Sequence, residues 1–89
     1  MTTSPPAAVP TDVVHVRFFA AAKAEFGSEG TTWEVPRGTT IETALVAANL
    51  HLSAVIARCS FLVNGIASRR NTILEDNDDL DVLPPFAGG

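Results

Sequence analysis

The chain is predicted to fold as one small α+β domain, a mixed sheet covered by one main helix. Three features carry that expectation. Val14, Val16 and Phe18 alternate with His15, Arg17 and Phe19, which gives the period-2 signature of a strand with one buried face. Ile41, Ala44, Leu45 and Ala48 recur at helical spacing and form one apolar stripe. Two short apolar runs, Phe61–Val63 and Ile66–Ser68, flank Asn64-Gly65, a pair that favours a tight type I′ hairpin.

The elements follow in order. Residues 1–11, rich in Thr, Ser, Pro and Ala, have little to bury and are expected to be a disordered leader. A domain over residues 12–83 begins with the strand at Asp12–Phe19. Ala20–Phe26 consists of strong helix formers and is stopped by Gly27. Thr31–Val35 alternates as a second strand, and Pro36-Arg37-Gly38 turns the chain. Thr39 with Glu42 three residues on reads as a capping box opening a helix over residues 40–49. Residues 50–60 are irregular apart from a short helical turn at Ala54–Arg58, and after the hairpin Leu80–Leu83 returns as the last strand.

At 89 residues and 46% hydrophobic, the chain suffices for a single core of modest stability. Its formal charge of −4 and pI near 4.9 argue against a nucleic-acid partner, which would need a clustered basic face. No stretch has the length of a membrane span, and the start lacks a signal peptide's basic and apolar regions, so no membrane partner and a cytoplasmic location are expected. The single Cys59 excludes an internal disulfide.

The residues after the last strand, 84–89, read as an extended functional tail: Pro84, Pro85, Phe86, Ala87, Gly88 and Gly89. Proline lacks an N–H, so Pro84-Pro85 ends the ladder, and the six residues reach about 20 Å when extended. Glycine leaves room for another protein's walls to close around the backbone.

The run Val82–Gly89 resembles the C-terminus of the MoaD family, small sulfur-carrying subunits of molybdopterin synthase and members of the wider ThiS/MoaD group. Val14–Ala21 resembles the family's first strand with its paired aromatics, and Leu74–Leu80 its turn into the last strand. In that turn Asn77 stands where the family's Asp-Gly-Asp pattern has glycine. Asn tolerates a left-handed backbone, so the change is mild.

The resemblance implies a ubiquitin-like β-grasp, with the last strand parallel to the first. It also implies a chemistry. A free α-carboxylate titrates near about 3.3–3.7 and is a poor acyl donor once ionised. In the family a MoeB-like adenylating enzyme uses ATP to convert the terminal carboxylate to an acyl-adenylate. A sulfur donor such as a cysteine desulfurase or rhodanese-like protein then yields a thiocarboxylate. Its sulfur passes to cyclic pyranopterin monophosphate in a MoaE-like large subunit, within an expected heterotetramer. Gly89 would carry the reacting carbon, Pro84 to Gly88 would bind the partner, and Phe19 and Leu62 are candidates for the docking surface. No cofactor bound by this chain is implied, and none of its side chains need act as acid, base or nucleophile.

The other reactive residue types fit structural roles. Cys59 lacks an activating base and reads as a small buried hydrophobe, while His15 and His51 lack metal-ligand spacing. The run Asp76, Asp78, Asp79, Asp81 begins like a calcium loop but lacks its ligand positions, so no metal is expected and a solvated turn is. Arg69-Arg70 reads as a solvated hairpin edge. Three alternatives remain at this point: a sulfur carrier for thiamin, cysteine or thio-nucleoside synthesis, a ubiquitin-like protein modifier, and an interaction module with an inert tail.

Overall fold

A computed structural model describes residues 10–85. Most of the predicted leader, residues 1–9, and the tail residues Phe86, Ala87, Gly88 and Gly89 lie outside the described residues.

Among the described residues the order is β1 (Thr11–Phe18), α1 (Ala20–Phe26), β2 (Gly30–Pro36), α2 (Ile41–Ala47), α3 (Ala54–Ala57), β3 (Ser60–Val63), β4 (Ile66–Ser68) and β5 (Asp79–Leu83). The strands form one mixed sheet in the order β2-β1-β5-β3-β4. β1 and β2 are antiparallel, as are β3 with β4 and β3 with β5. β1 and β5 run parallel, pairing His15 with Asp79 and Phe18 with Val82. This is the ubiquitin-like β-grasp, with the chain's last strand at the centre of its sheet.

The predicted core face of β1 is buried: Val14, Val16 and Phe18 join Leu80 and Val82 of β5 beneath Ile41, Ala44 and Leu45 of α2. Phe18 stacks on Phe26 of α1 with ring centroids 4.2 Å apart and meets Trp33 of β2 edge-on at 6.2 Å. α1 ends at Gly27, whose φ of 94° lets its N–H reach the Lys23 carbonyl. Asn64 and Gly65 both have positive φ, 51° and 81°, as a type I′ turn requires.

Three local expectations change. The helix cap is Thr40 rather than Thr39: the Thr40 hydroxyl accepts from the Thr43 N–H at 3.2 Å, and the helix opens at Ile41. Thr39 is taken up by the turn before it, its hydroxyl donating to the Pro36 carbonyl and its own carbonyl accepting from the Leu74 N–H at 2.8 Å. α2 also stops at Ala47, because Asn49 turns left-handed with φ 63°. β1 starts at Thr11, and the Arg37 N–H donates to the Pro10 carbonyl at 2.8 Å, so regular backbone pairing reaches into the segment expected to be leader.

The acidic turn is solvated only in part: Asp76 and Asp79 are exposed, while Asp78 and Asp81 are buried. Asp78 is buried, its carboxylate accepting from the Glu75 N–H at 2.7 Å and from the Asn64 side-chain amide at 2.8 Å. Asp76 accepts from the Val13 N–H at 2.7 Å, and the Asn77 N–H donates to the Val13 carbonyl at the same distance. These bonds fasten the start of β5 to β1 and to the β3–β4 hairpin. Arg70 is likewise structural: it donates to Glu42 and to the Ile56 carbonyl, each at 2.9 Å, and lies over the Phe61 ring.

Asn77 has φ 66°, as its place in the turn implied. Asn77→Gly should therefore leave the urea midpoint nearly unchanged, whereas Asn77→Val should lower stability by about 1–2 kcal/mol, the cost of a left-handed conformation for an ordinary L-residue.

Candidate functional site

The end of β5 is where this fold presents its tail. Leu83 pairs with Ser60 of β3, and on the other side the Phe19 N–H donates to the Val82 carbonyl at 3.2 Å. Pro84 is half-buried and Pro85 exposed. Neither has an N–H to extend the ladder, so the chain leaves the sheet between the start of α1 and the segment Arg58–Ser60. Pro84 and Pro85 thus stand where the tail was expected to begin; Phe86, Ala87, Gly88 and Gly89 lie outside the described residues.

The sheet face turned away from α2 surrounds this exit. On β1, Arg17 faces outward opposite the core residues Val16 and Phe18, and the strand register sets it beside Asp81 of β5. Asp81 is in turn opposite Leu62 of β3, and Leu62 opposite Ala67 of β4. Period-2 alternation places Leu83 on the same face. Phe19, 37% exposed, follows β1 with extended backbone and caps α1 without a side-chain bond. Both predicted docking residues, Phe19 and Leu62, therefore belong to one side of the sheet, although Leu62 is only half exposed.

Arg17 and Asp81 were not linked by the sequence reading, being 64 residues apart. Their guanidinium and carboxylate meet twice, Nε to Oδ1 at 2.9 Å and Nη2 to Oδ2 at 3.1 Å. This two-pronged geometry is the strong form of the interaction. The Asp81 hydrogen bond, then its charge, raises the basicity of Arg17. Any stability from this cation is complete below the ordinary arginine range and fades only at more alkaline pH. The Arg17 side chain is 62% exposed and lies over Phe19, 5.6 Å from the ring centre. Water and salt therefore screen its attraction, and geometry is its main effect. The pair clips β1 to β5 three residues before Pro84 and covers the Asp81 charge.

Two clefts flank the exit. One, on the β1 side, is bounded by Arg17, Phe19, Ala20, Lys23, Glu29 and Gly30. Ala20 has φ 50°, an uncommon left-handed value that turns the chain sharply from β1 into α1. The other, on the β3–β4 side, is bounded by Cys59, Ser60, Phe61, Ser68, Arg69 and Arg70. Cys59 is half-buried and its thiol points to the Val55 carbonyl at 3.3 Å. Burial pushes this thiol up, outweighing the opposing pull of Arg70. Among the described residues there is no group of three or more His, Cys, Asp or Glu placed to hold a metal, and no helix long and apolar enough to cross a membrane. His15 is exposed, and His51 keeps a buried Nδ1 without a hydrogen-bond partner.

A family profile described as the ThiS family matches residues 16–89, from within β1 through the whole tail. The chain belongs to the ThiS family. Comparison with curated protein sequences finds no match. Among solved structures, this ThiS-family chain is similar to the HVO 2177 protein of Haloferax volcanii, at 24% identity and TM-score 0.76, covering 98% of this chain and 94% of that one. It is similar to SAMP1, a small archaeal modifier protein of the same organism, at 24% identity and TM-score 0.73, covering 86% and 99%. It is also similar to a chain in the complex of subunits 1 and 2 of a molybdopterin-converting factor from Helicobacter pylori, at 25% identity and TM-score 0.58, covering 86% and 99%. The ThiS-family chain is thus a ThiS/MoaD-like β-grasp protein.

The raised Cys59 thiol has a measurable consequence. At pH 8 Cys59 should alkylate several-fold more slowly than free cysteine, because less of it is thiolate. Its protonated form stabilises the fold below the ordinary thiol range, and this contribution is lost as pH rises through that range toward the folded value. Alkylation rate against pH, read by mass spectrometry, checks both the direction and the window.

Proposed function

We propose that this chain is the sulfur-carrying small subunit of a molybdopterin synthase, with Gly89 as its reacting residue. The observation that carries the reading is the course of β5: a strand buried at the centre of the sheet runs directly into Pro84-Pro85 and the Phe-Ala-Gly-Gly sequence. The rigid body fixes where the tail begins, and the six residues after Leu83 give it about 20 Å of reach into a partner. The likeness to the chain in the H. pylori subunit 1–subunit 2 complex supports a large-subunit partner, here a MoaE-like one.

The chemistry divides between partners. A MoeB-like enzyme joins the Gly89 carboxylate to the α-phosphate of ATP and releases pyrophosphate. A persulfide on a cysteine desulfurase or a rhodanese-like protein then attacks the acyl carbon, AMP leaves, and a thiol reduces the resulting acyl disulfide to release the Gly89 thiocarboxylate. Cyclic pyranopterin monophosphate in the large subunit accepts the sulfur, and the carboxylate is regenerated. This chain contributes a positioned reagent, so its share of the rate enhancement is proximity and orientation. It needs no cofactor of its own.

The likeness to SAMP1 favours a second reading, in which Gly89 forms an isopeptide bond with a lysine of another protein. Reconstitution separates the two. Combined with a MoaE-like subunit, a MoeB-like enzyme, ATP and a sulfur source, the chain should convert cyclic pyranopterin monophosphate to molybdopterin. One residue added after Gly89, or deletion of Gly88 and Gly89, should lower the yield by about 100-fold or more, since small misplacements at a reacting centre cost that much. Slow-migrating conjugates without molybdopterin would favour the modifier instead.

A further inference from the structure

The chain's charge is sorted along its sheet. Five of its six Lys and Arg residues, Arg17, Lys23, Arg58, Arg69 and Arg70, belong to the end from which the tail leaves, and only Arg37 lies at the other end. At that far end stand Asp12, Glu34, Glu75, Asp76, Asp78 and Asp79, around the start of β5, the start of β1 and the close of β2. Six of the ten carboxylates thus lie at the far end, while Glu25, Glu29, Glu42 and Asp81 share the tail end with the five cations.

Three cations at the tail end are already engaged. Arg17 pairs with Asp81, Lys23 with Glu29 and Arg70 with Glu42. Arg58 and Arg69 are exposed and have no ion-pair or hydrogen-bonded side-chain partner among the described residues. Arg58 closes α3 immediately before Cys59 and Ser60, and Arg69 borders the cleft on the β3–β4 side. Both lie beside the strand end that pairs Ser60 with Leu83, at the root of the tail.

We infer that Arg58 and Arg69 form a docking rim for an acidic polypeptide surface surrounding the tail channel of the adenylating partner. The inference rests on the proposed sulfur-carrier reading. Screening decides which charges such a partner senses. From Asp79 to Leu83 the strand runs about 13 Å, taking about 3.3 Å per residue, beyond the Debye length of about 8 Å at physiological ionic strength. A partner meeting the tail end senses the arginines more strongly than the acidic far end. The free cations orient the chain tail-first during encounter, which acts on the association rate more than on the chemical step.

The test uses the full chain and an adenylating enzyme purified from the same cells, with ATP–pyrophosphate exchange as the readout at low and physiological salt. Arg58→Gln/Arg69→Gln should lower kcat/KM on the order of tenfold at low salt, leave kcat unchanged and flatten the salt dependence. Thr11→Glu/Ile66→Glu makes the same change in net charge at two exposed positions of the far end and should stay within about twofold of the parent, as a remote, screened charge predicts. Thermal unfolding of each variant separates misfolding from lost docking. Equal losses in the two double variants, or none in the arginine pair, would overturn the rim. So would arginine-dependent binding of a single-stranded oligonucleotide with exchange unaffected. Failure of the parent chain to support exchange at all would instead overturn the sulfur-carrier reading, and the rim with it.

Discussion

The parallel pairing of β1 with β5 is the constraint on which the rest depends. It brings the last strand of the chain between β1 and β3, with Leu80 and Val82 wholly buried under α2. A terminal strand at a sheet edge could fray, but one hydrogen-bonded on both sides and apolar on its inner face is held by the whole core. The rigid body therefore extends to Leu83, and the two prolines bring backbone pairing to an end. The acidic turn serves the same pairing from its other end, because Asp76, Asn77 and Asp78 bond β1 and the β3–β4 hairpin before β5 begins.

Much of this fold is legible in the residues because local chemistry and global fold agree. Alternation around Val14, Val16 and Phe18 marks the inner face of β1, Gly27 stops α1, and Asn64-Gly65 sets the hairpin. The parallel order of β1 and β5 is different. Periodicity tells which face of a strand is buried but not which strand lies beside it, so that order came from resemblance. The helix cap shifted by one residue because Thr39 and Thr40 are both capable of capping, and only the turn from Pro36 decides that Thr39 is otherwise engaged.

The site was legible as a segment and not as a surface. The tail announces itself through Pro84, Pro85 and the glycines, whose backbone properties are local. Arg17 and Asp81 do not, since their meeting depends on the register of two strands far apart in the chain. Arg70 and Asp78 looked like solvated charges for the same reason: their partners, Glu42 and the Ile56 carbonyl for one, Asn64 and the Glu75 N–H for the other, are supplied by tertiary structure. Arg58 and Arg69, the cations left without an ion pair among the described residues, stand out only once the others are accounted for.

The account's central claim is that the Gly89 carboxylate is the group that reacts. Intact mass spectrometry of the chain purified from its own cells, with fragmentation to place any change, tests it most directly. The account predicts a fraction whose mass has risen by the exchange of one oxygen for sulfur, with the change confined to Gly89. A carboxylate that stays unmodified even after incubation with an adenylating enzyme, ATP and a sulfur source, or sulfur found on Cys59 instead, would contradict it.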